Sequence, residues 1–346
     1  KIDGEQMWLR IMGPPGSSKT TLASIAGSSE RTIMRDTFTG LLSGWKDDQE
    51  QDASMVPLIA DRALIVKDAD AMLQQPNVTQ IMSELRAFYD KKIAVTYRNR
   101  INYDYTNIRS SFIFCGTHTL RDMDNTSLGE RFLDFELHVT DKDRNEISKR
   151  VLANQIALVY ANVNPEVKLQ ERAKGFIDGH LLTRTLTGIL GDKEKTSILQ
   201  LGSLISYMRA QVSRDYKGRI KYKPYPEVPS RIVGQLTKVF QCVPAIFNTT
   251  SIPPITHRLI RHATRDIINV HSLRYRVCEV LHADPFVSGE EVCRSMHPTP
   301  PEVIAREIEN MVELGMMEIA QKRTSAQYII NTFGLKPHIY EQFGMI

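Results

Sequence analysis

Gly13-Pro14-Pro15-Gly16-Ser17-Ser18-Lys19-Thr20 is the stretch on which the reading of the fold turns. The apolar run Met7-Trp8-Leu9-Arg10-Ile11-Met12 precedes it, and Thr21-Leu22-Ala23-Ser24-Ile25-Ala26 follows. Strand, glycine-rich turn and helix, in that order, are the context of a phosphate-binding loop. The glycines let the backbone N–H groups of residues 13–21 close round phosphates, and the helix N-terminus adds unpaired donors and partial positive charge. In this reading Lys19 reaches the terminal phosphates of ATP, and the Thr20 hydroxyl binds Mg2+. Ser18 departs from the GxxxxGK[ST] pattern, since it stands where the second glycine belongs. Without a ligand, the same residues would be a Gly/Pro turn before a helix, with a solvated lysine.

Outward from the loop, composition sets wide bounds. The chain has 346 residues, 42% hydrophobic and 24% charged, enough for two or three soluble domains. No apolar run is long enough to span a bilayer and no secretory signal opens the sequence, so no membrane partner is expected. A net charge of +4 is too small to imply nucleic-acid binding by itself, so local patches must carry it. Cys115, Cys242, Cys278 and Cys293 share no zinc spacing and read as reduced core thiols of an intracellular protein, in cytoplasm, nucleoid or nucleus. The first strand starts only a few residues after Lys1, which reads as a piece of a longer protein.

Residues 31–44, rich in Gly, Thr and Ser, and the acidic run Asp47, Asp48, Glu50 and Asp52 read as a loop or hairpin excursion outside the core. Arg62-Ala63-Leu64-Ile65-Val66-Lys67-Asp68-Ala69-Asp70 reads as a buried parallel strand ending in carboxylates, at the end where open α/β sheets bind ligands. One such acid would hold the magnesium shell and one would polarise water. Asp68 is favoured as the essential carboxylate; Asp70 is either a further acid or the N-cap of a helix at residues 71–73. Residues 78–89 have helical periodicity. Residues 91–105 read as a β-hairpin in which Lys91, Lys92, Arg98 and Arg100 interleave with tyrosines, as a nucleic-acid backbone requires and as an ordinary solvated hairpin also would. Ser110-Ser111-Phe112-Ile113-Phe114-Cys115-Gly116 is a third buried strand, and Thr117 or His118 at its end can hold an attacking water or the terminal phosphate. Arg131, in a loop before a strand at 132–139, is either a surface arginine or an arginine finger that reaches a neighbouring subunit's ATP.

Helices follow from residue 145, at 181–190 and 198–212 among others. Between helices, residues 214–226 hold five cations, one acid and three tyrosines, a second nucleic-acid candidate or a basic surface loop. Arg231 in the first turn of the next helix stands against the helix dipole and so wants an anion, which a nucleotide phosphate would supply. Arg258, Arg261 and Arg265 at i, i+3, i+7 read as one basic face or simply a solvated one. From Ser272 onward, three helices and a hairpin around residues 321–325 read as a winged helix. Its third helix is acidic, which argues against simple major-groove reading; protein contact or a structural role is the competing reading, with Lys322 and Arg323 the remaining DNA candidates there.

Together these stations resemble an AAA+ ATPase, and within that class the minichromosome-maintenance (MCM) helicases. Ser18 before the lysine is similar to MCM phosphate loops, which place a small residue other than glycine there. Phe38-Thr39-Gly40-Leu41-Leu42-Ser43 stands in the place of the family's helix-two insert. Lys67-Asp68-Ala69-Asp70-Ala71-Met72 resembles its Walker B stretch, with lysine in place of the first acid. The hairpin at 90–107 stands in the place of the pre-sensor hairpin. Residues 106–111 running into Thr117-His118 resemble the first sensor, Ser127-Leu128-Gly129-Glu130-Arg131-Phe132 the arginine-finger motif, and Pro229-Ser230-Arg231 the second sensor. The departures are Lys67, His118 in place of asparagine, and a long lid with a basic insertion; they mark a divergent relative of viral, phage or mobile-element type.

The resemblance implies a ring, hexameric, with ATP between subunits. Lys19, Thr20 and Asp68 come from one subunit and Arg131 from the next, and loops at 36–60 and 90–107 face a channel that carries DNA. The implied architecture is α/β: an AAA+ P-loop core with a parallel sheet at 1–143, an α-helical lid at 144–271 and a winged helix at 272–346. The implied activity is ATP hydrolysis coupled to DNA unwinding or translocation in replication. A protein remodeller, or an ATP-binding docking module without hydrolysis, are the competing expectations.

Overall fold

The computed structural model describes residues 5–44, 52–98, 100–125, 128, 131–161, 165–181, 187–323 and 328–346. Two compact units divide the chain, Lys1–Gly188 with Cys242–Ser251, and Ile189–Gln241 with Ile252–Ile346. The cuts differ from the three-segment reading: residues 144–188 group with the sheet, and the boundary at 271/272 lies inside the second unit.

The first unit is α/β. Its strands are β1 (Trp8–Met12), β2 (Thr32–Arg35), β3 (Ala63–Val66), the pair β4 (Lys92–Thr96) and β5 (Asn102–Thr106), β6 (Ser111–Gly116) and β7 (Leu133–Glu136). Five of them form a sheet in the order β2-β3-β6-β1-β7, with every neighbouring pair parallel. The short, near-continuous apolar runs of β3 and β6 suit strands covered on both faces. On one face Trp8 is fully buried, its ring 4.5 Å from Phe112, 5.0 Å from Tyr89 and 5.3 Å from Phe132. On the other, Ile65 and Cys115 pack with Ala23 of α1 (Lys19–Gly27). Arg10 is the one polar residue of β1's inward face; its Nε and Nη2 reach Asp134 of β7 at 2.6 and 2.9 Å, with both side chains fully buried. Removing one partner of such a pair strands a buried charge, at a cost of about 3–5 kcal/mol.

The segment read as an excursion is partly core. Residues 32–35 form edge strand β2, and Phe38 and Leu41 are fully buried, with Phe38 6.1 Å from Phe114. Single apolar side chains inserted from a Gly/Thr/Ser-rich segment leave no periodic trace. Asp47, Asp48 and Glu50 lie outside the described residues, as do Ser127, Gly129 and Glu130 of the arginine motif.

The remaining helices of this unit are α2 (Val56–Ile59), α3 (Asp70–Leu73), α4 (Val78–Tyr89), α5 (Asp141–Ala161) and α6 (Pro165–Phe176). Of the helix expected at 181–190, Leu181 ends a π-helical turn (Ile177–Leu181) and residues 187–190 are irregular.

The second unit holds α7 (Asp192–Arg209), most of α8 (Ser230–Ile246), α9 (Pro254–Ile268), α10 (Leu273–Ala283), α11 (Gly289–Ser295), α12 (Pro301–Glu313) and α13 (Pro337–Phe343). A small sheet orders β8 (Val287–Ser288), β10 (Ile329–Leu335) and β9 (Met317–Arg323) as β8-β10-β9, antiparallel throughout. Arg274 locks this unit: Nη1 donates to the carbonyls of Tyr207, Met208 and Ala210, and Nε pairs with Glu307 at 2.6 Å. Among the described residues no helix is long and apolar enough to cross a membrane.

Candidate functional site

The sheet order brings the chemistry together. Because β6 lies between β1 and β3 and all three run parallel, their C-terminal ends share one edge. That edge carries the loop 13–18 from β1, Asp68 and Asp70 from β3, and Thr117 from β6. Open parallel sheets bind their ligands at this edge.

The loop has the backbone its sequence implies. Gly16 has φ +77°, and a Cβ there would meet nothing within 4 Å, so the requirement is for conformation and not for space. Ser18 has φ 63° and ψ 21°, the left-handed state that glycine occupies without strain. Serine therefore carries the turn at a modest conformational cost. Gly13 answers a different need: a Cβ would lie 2.9 Å from the Ser17 hydroxyl and 3.1 Å from the Leu137 carbonyl. The Lys19 ammonium curls back into the loop and donates to the carbonyls of Gly13 and Pro14, each at 2.8 Å. Burial pushes its pKa below the usual lysine value, and the nearby Asp70 carboxylate partly offsets this. At the start of α1, Ser18 makes no side-chain cap and no acid stands in the first turn. The leading N–H groups of this helix thus fit an anion, and the donor set (backbone amides, Lys19, and the Thr20 and Thr21 hydroxyls) is one for phosphate. Pro15, Thr20 and Thr21 are exposed, and Pro14 is half-buried.

Of the two acids, Asp70 faces the loop. It is the first residue of α3, not its N-cap, a position held by Ala69. Its Oδ2 accepts from the Thr117 N–H at 2.7 Å and its Oδ1 from the Thr119 hydroxyl at 2.5 Å. Asp70 therefore joins the ends of β3 and β6, while its charge bears on Lys19. Asp68 is exposed, and among the described residues only its backbone N–H is engaged, to the Asp36 carbonyl at 3.1 Å. Lys67 pairs with Asp36 at 2.6 Å. Asp36 and Thr119 were invisible as partners in the sequence, because their roles depend on which strands are neighbours.

His118 is half-exposed, with Nδ1 3.6 Å from Glu136. Arg131 is only 3% exposed: it donates to the Leu128 carbonyl at 2.5 Å, lies 3.4 Å from Asp90, and stands over the Tyr89 ring at 5.4 Å. A side chain held in this way reaches a neighbouring subunit only after leaving these partners. Arg231 opens α8 in the second unit and is half-buried. Lys92, Arg98 and Arg100 are exposed on the β4–β5 hairpin and its tip; Lys91, half-buried, takes φ 63° before β4. The core-thiol reading holds for Cys115 and Cys278, whose pKa values burial pushes to about 11 and about 12, but Cys242 is exposed and Cys293 half-buried.

No protein-family model matches the chain, and no curated protein matches it.

Proposed function

We propose that the chain is an ATP-hydrolysing motor resembling AAA+ proteins of the MCM type, acting on DNA as a homo-oligomeric, hexameric ring. One observation carries the reading: a glycine-turned loop holding Lys19 at the C-terminal edge of a parallel sheet, with Asp70 and Thr117 presented beside it by β3 and β6. Loop amides and Lys19 would hold the phosphates, and Thr20 with an acid of the 68–70 segment would hold magnesium, which neutralises phosphate charge when bound. The charge of Asp70 bearing on Lys19 favours Asp70 over Asp68 as the acid nearest the chemistry. In this reading helices within residues 144–271 are the lid and residues 272–346 the winged helix. Thr117 and His118 serve as the first sensor, Arg231 as the second, and Arg131 as the finger once freed from Asp90.

One feature favours a second reading, an ATP-binding module without hydrolysis. Lys67 stands where the resemblance puts the metal-side acid, and it already has a partner in Asp36. ATP turnover with and without single-stranded DNA separates the two. A motor hydrolyses ATP faster with DNA, and Lys19→Ala abolishes turnover. Tight ATP binding with no turnover in the wild type selects the module, and turnover unchanged by Lys19→Ala rejects the site.

A further inference from the structure

We infer that the hairpin-like loop at residues 213–226 of the second unit is a binding surface for single-stranded nucleic acid, separate from the nucleotide site. Tyr216, Tyr222 and Tyr225 are 91%, 75% and 71% exposed. An aromatic ring left in water is the uncommon case, and three within ten residues form an unfilled platform. Between them stand Lys217, Arg219, Lys221 and Lys223, all exposed. Among the described residues Lys217, Lys221 and Lys223 have no ion pair; Lys217 and Lys223 lie 5.5 and 5.6 Å from the Tyr216 and Tyr225 ring centroids.

The loop is built, not merely long. Asp215 N–H donates to the Arg219 carbonyl and Lys221 N–H to the Ser213 carbonyl, at 2.8 and 2.9 Å. The Asp215 carboxylate accepts from the Lys217 and Arg219 N–H groups, each at 2.9 Å, so the loop's single acid is spent inside the turn. Arg214 anchors the turn to α12, donating to Glu309 at 2.8 Å and to Asn310 at 2.5 Å. At the far end Pro224 is buried and the Ser206 hydroxyl donates to the Glu227 carbonyl. The one acid and the anchoring arginine are half-buried, and the Arg219 guanidinium pairs with Asp215 at 2.9 Å, which leaves the three rings and Lys217, Lys221 and Lys223 to dominate the outer surface.

Rings that accept any base, interleaved with cations that meet phosphates, are what binding to a single strand needs. A duplex keeps its bases stacked on each other and offers such rings nothing. An acidic peptide offers charge but no flat partners.

The test uses the full chain and fluorescence anisotropy with a labelled thymidine oligonucleotide, a duplex of equal length, and polyglutamate. Tyr216→Ala with Tyr222→Ala and Tyr225→Ala is expected to weaken oligonucleotide binding by roughly 100-fold. The corresponding Tyr→Phe triple variant is expected to retain it, because the ring face and not the hydroxyl stacks. All binding is measured without added nucleotide, so the readout reports this surface and not the nucleotide site. Unchanged affinity in the alanine variant, equal loss in the phenylalanine variant, or tighter binding to polyglutamate or duplex than to the single strand would each overturn the inference.

Discussion

Two segments of this chain have nearly the same composition and opposite structures. Residues 91–105 and 214–226 each hold at least four cations and three tyrosines. In the first the rings turn inward. Tyr103 and Tyr105 stack at 5.7 Å, Tyr97 meets Tyr103 edge-on at 6.3 Å, and the Tyr105 hydroxyl donates to Asp52. In the second the rings stand in water. The reason is the backbone. In the β4–β5 ladder Ile93 faces Tyr105 and Val95 faces Tyr103, so alternation collects every apolar ring on one face, where Ile93 is buried. Residues 213–226 are too turn-rich to alternate, and their rings have no second strand to cover them. A basic, tyrosine-rich composition therefore does not specify an interface; what distinguishes one is whether the rings already have partners.

The largest effect that can break this contrast is on stability. Tyr103→Ala with Tyr105→Ala removes a stacked pair and the hydroxyl that meets Asp52, and should lower unfolding free energy by about 3 kcal/mol. Alanine at Tyr216, Tyr222 or Tyr225 should each stay within about 0.5 kcal/mol of wild type, the range for exposed positions. Urea unfolding followed by circular dichroism reads both. Comparable losses in the two segments would mean that the loop rings also have internal partners.

The same contrast shows how much the sequence disclosed. The turn at residues 13–18 between β1 and α1 was legible because its residues are contiguous and have a backbone reason, with Gly16 and Ser18 both at positive φ. The strands at 63–66, 111–116 and 133–136, the helix at 78–89 and the β4–β5 hairpin were legible from apolar runs and periodicity. What was not legible depends on strand order. That Asp70 and not Asp68 turns toward Lys19 follows from β6 lying between β1 and β3, which places Thr117 and Thr119 against it. The burial of Arg131 likewise follows from the packing of α4, whose C-terminal Tyr89 and the adjoining Asp90 meet it. The inward turn of Tyr97, Tyr103 and Tyr105 was available from period-two counting, since they share odd positions with Ile93 and Val95 while Lys92, Arg98 and Arg100 fall on even ones.

A smaller effect separates the two segments by pH. Burial raises the Asp52 carboxyl, but hydrogen bonds from Tyr105 and from Ser54 outweigh it and hold the group below the usual carboxylate value. A depressed folded-state pKa contributes stability above the unfolded value, ~3.9 for aspartate, and that contribution is lost as pH falls through the folded one. Amide exchange in β4 and β5 should therefore quicken relative to the five-stranded sheet as pH drops below about 4. Asp52→Asn should abolish that pH dependence and cost about 1 kcal/mol at neutral pH. Exchange in β4 and β5 that stays in step with β1 at low pH would mean that Asp52 does not hold the hairpin.

The smallest expected effect bears on where nucleic acid runs. Lys92 and Arg98 project from the outer face of the hairpin although its rings are withdrawn, so that segment can meet phosphates but not stack on bases. Lys92→Ala with Arg98→Ala should reduce the salt dependence of single-strand binding by about 1.4 in the log–log slope, two phosphate contacts at ~0.7 each. The affinity change at moderate salt should be only several-fold, because no ring is lost. Lys217→Ala with Lys223→Ala should lower the slope by a similar amount, while a tyrosine variant of the loop lowers affinity and leaves the slope nearly intact. Charge and stacking are thereby separated by which quantity moves. If the hairpin variant leaves the slope unchanged, the hairpin lies off the path of the strand and residues 213–226 carry the binding alone. If both variants lower it, each surface contributes on its own terms: phosphates at the first, phosphates and bases at the second.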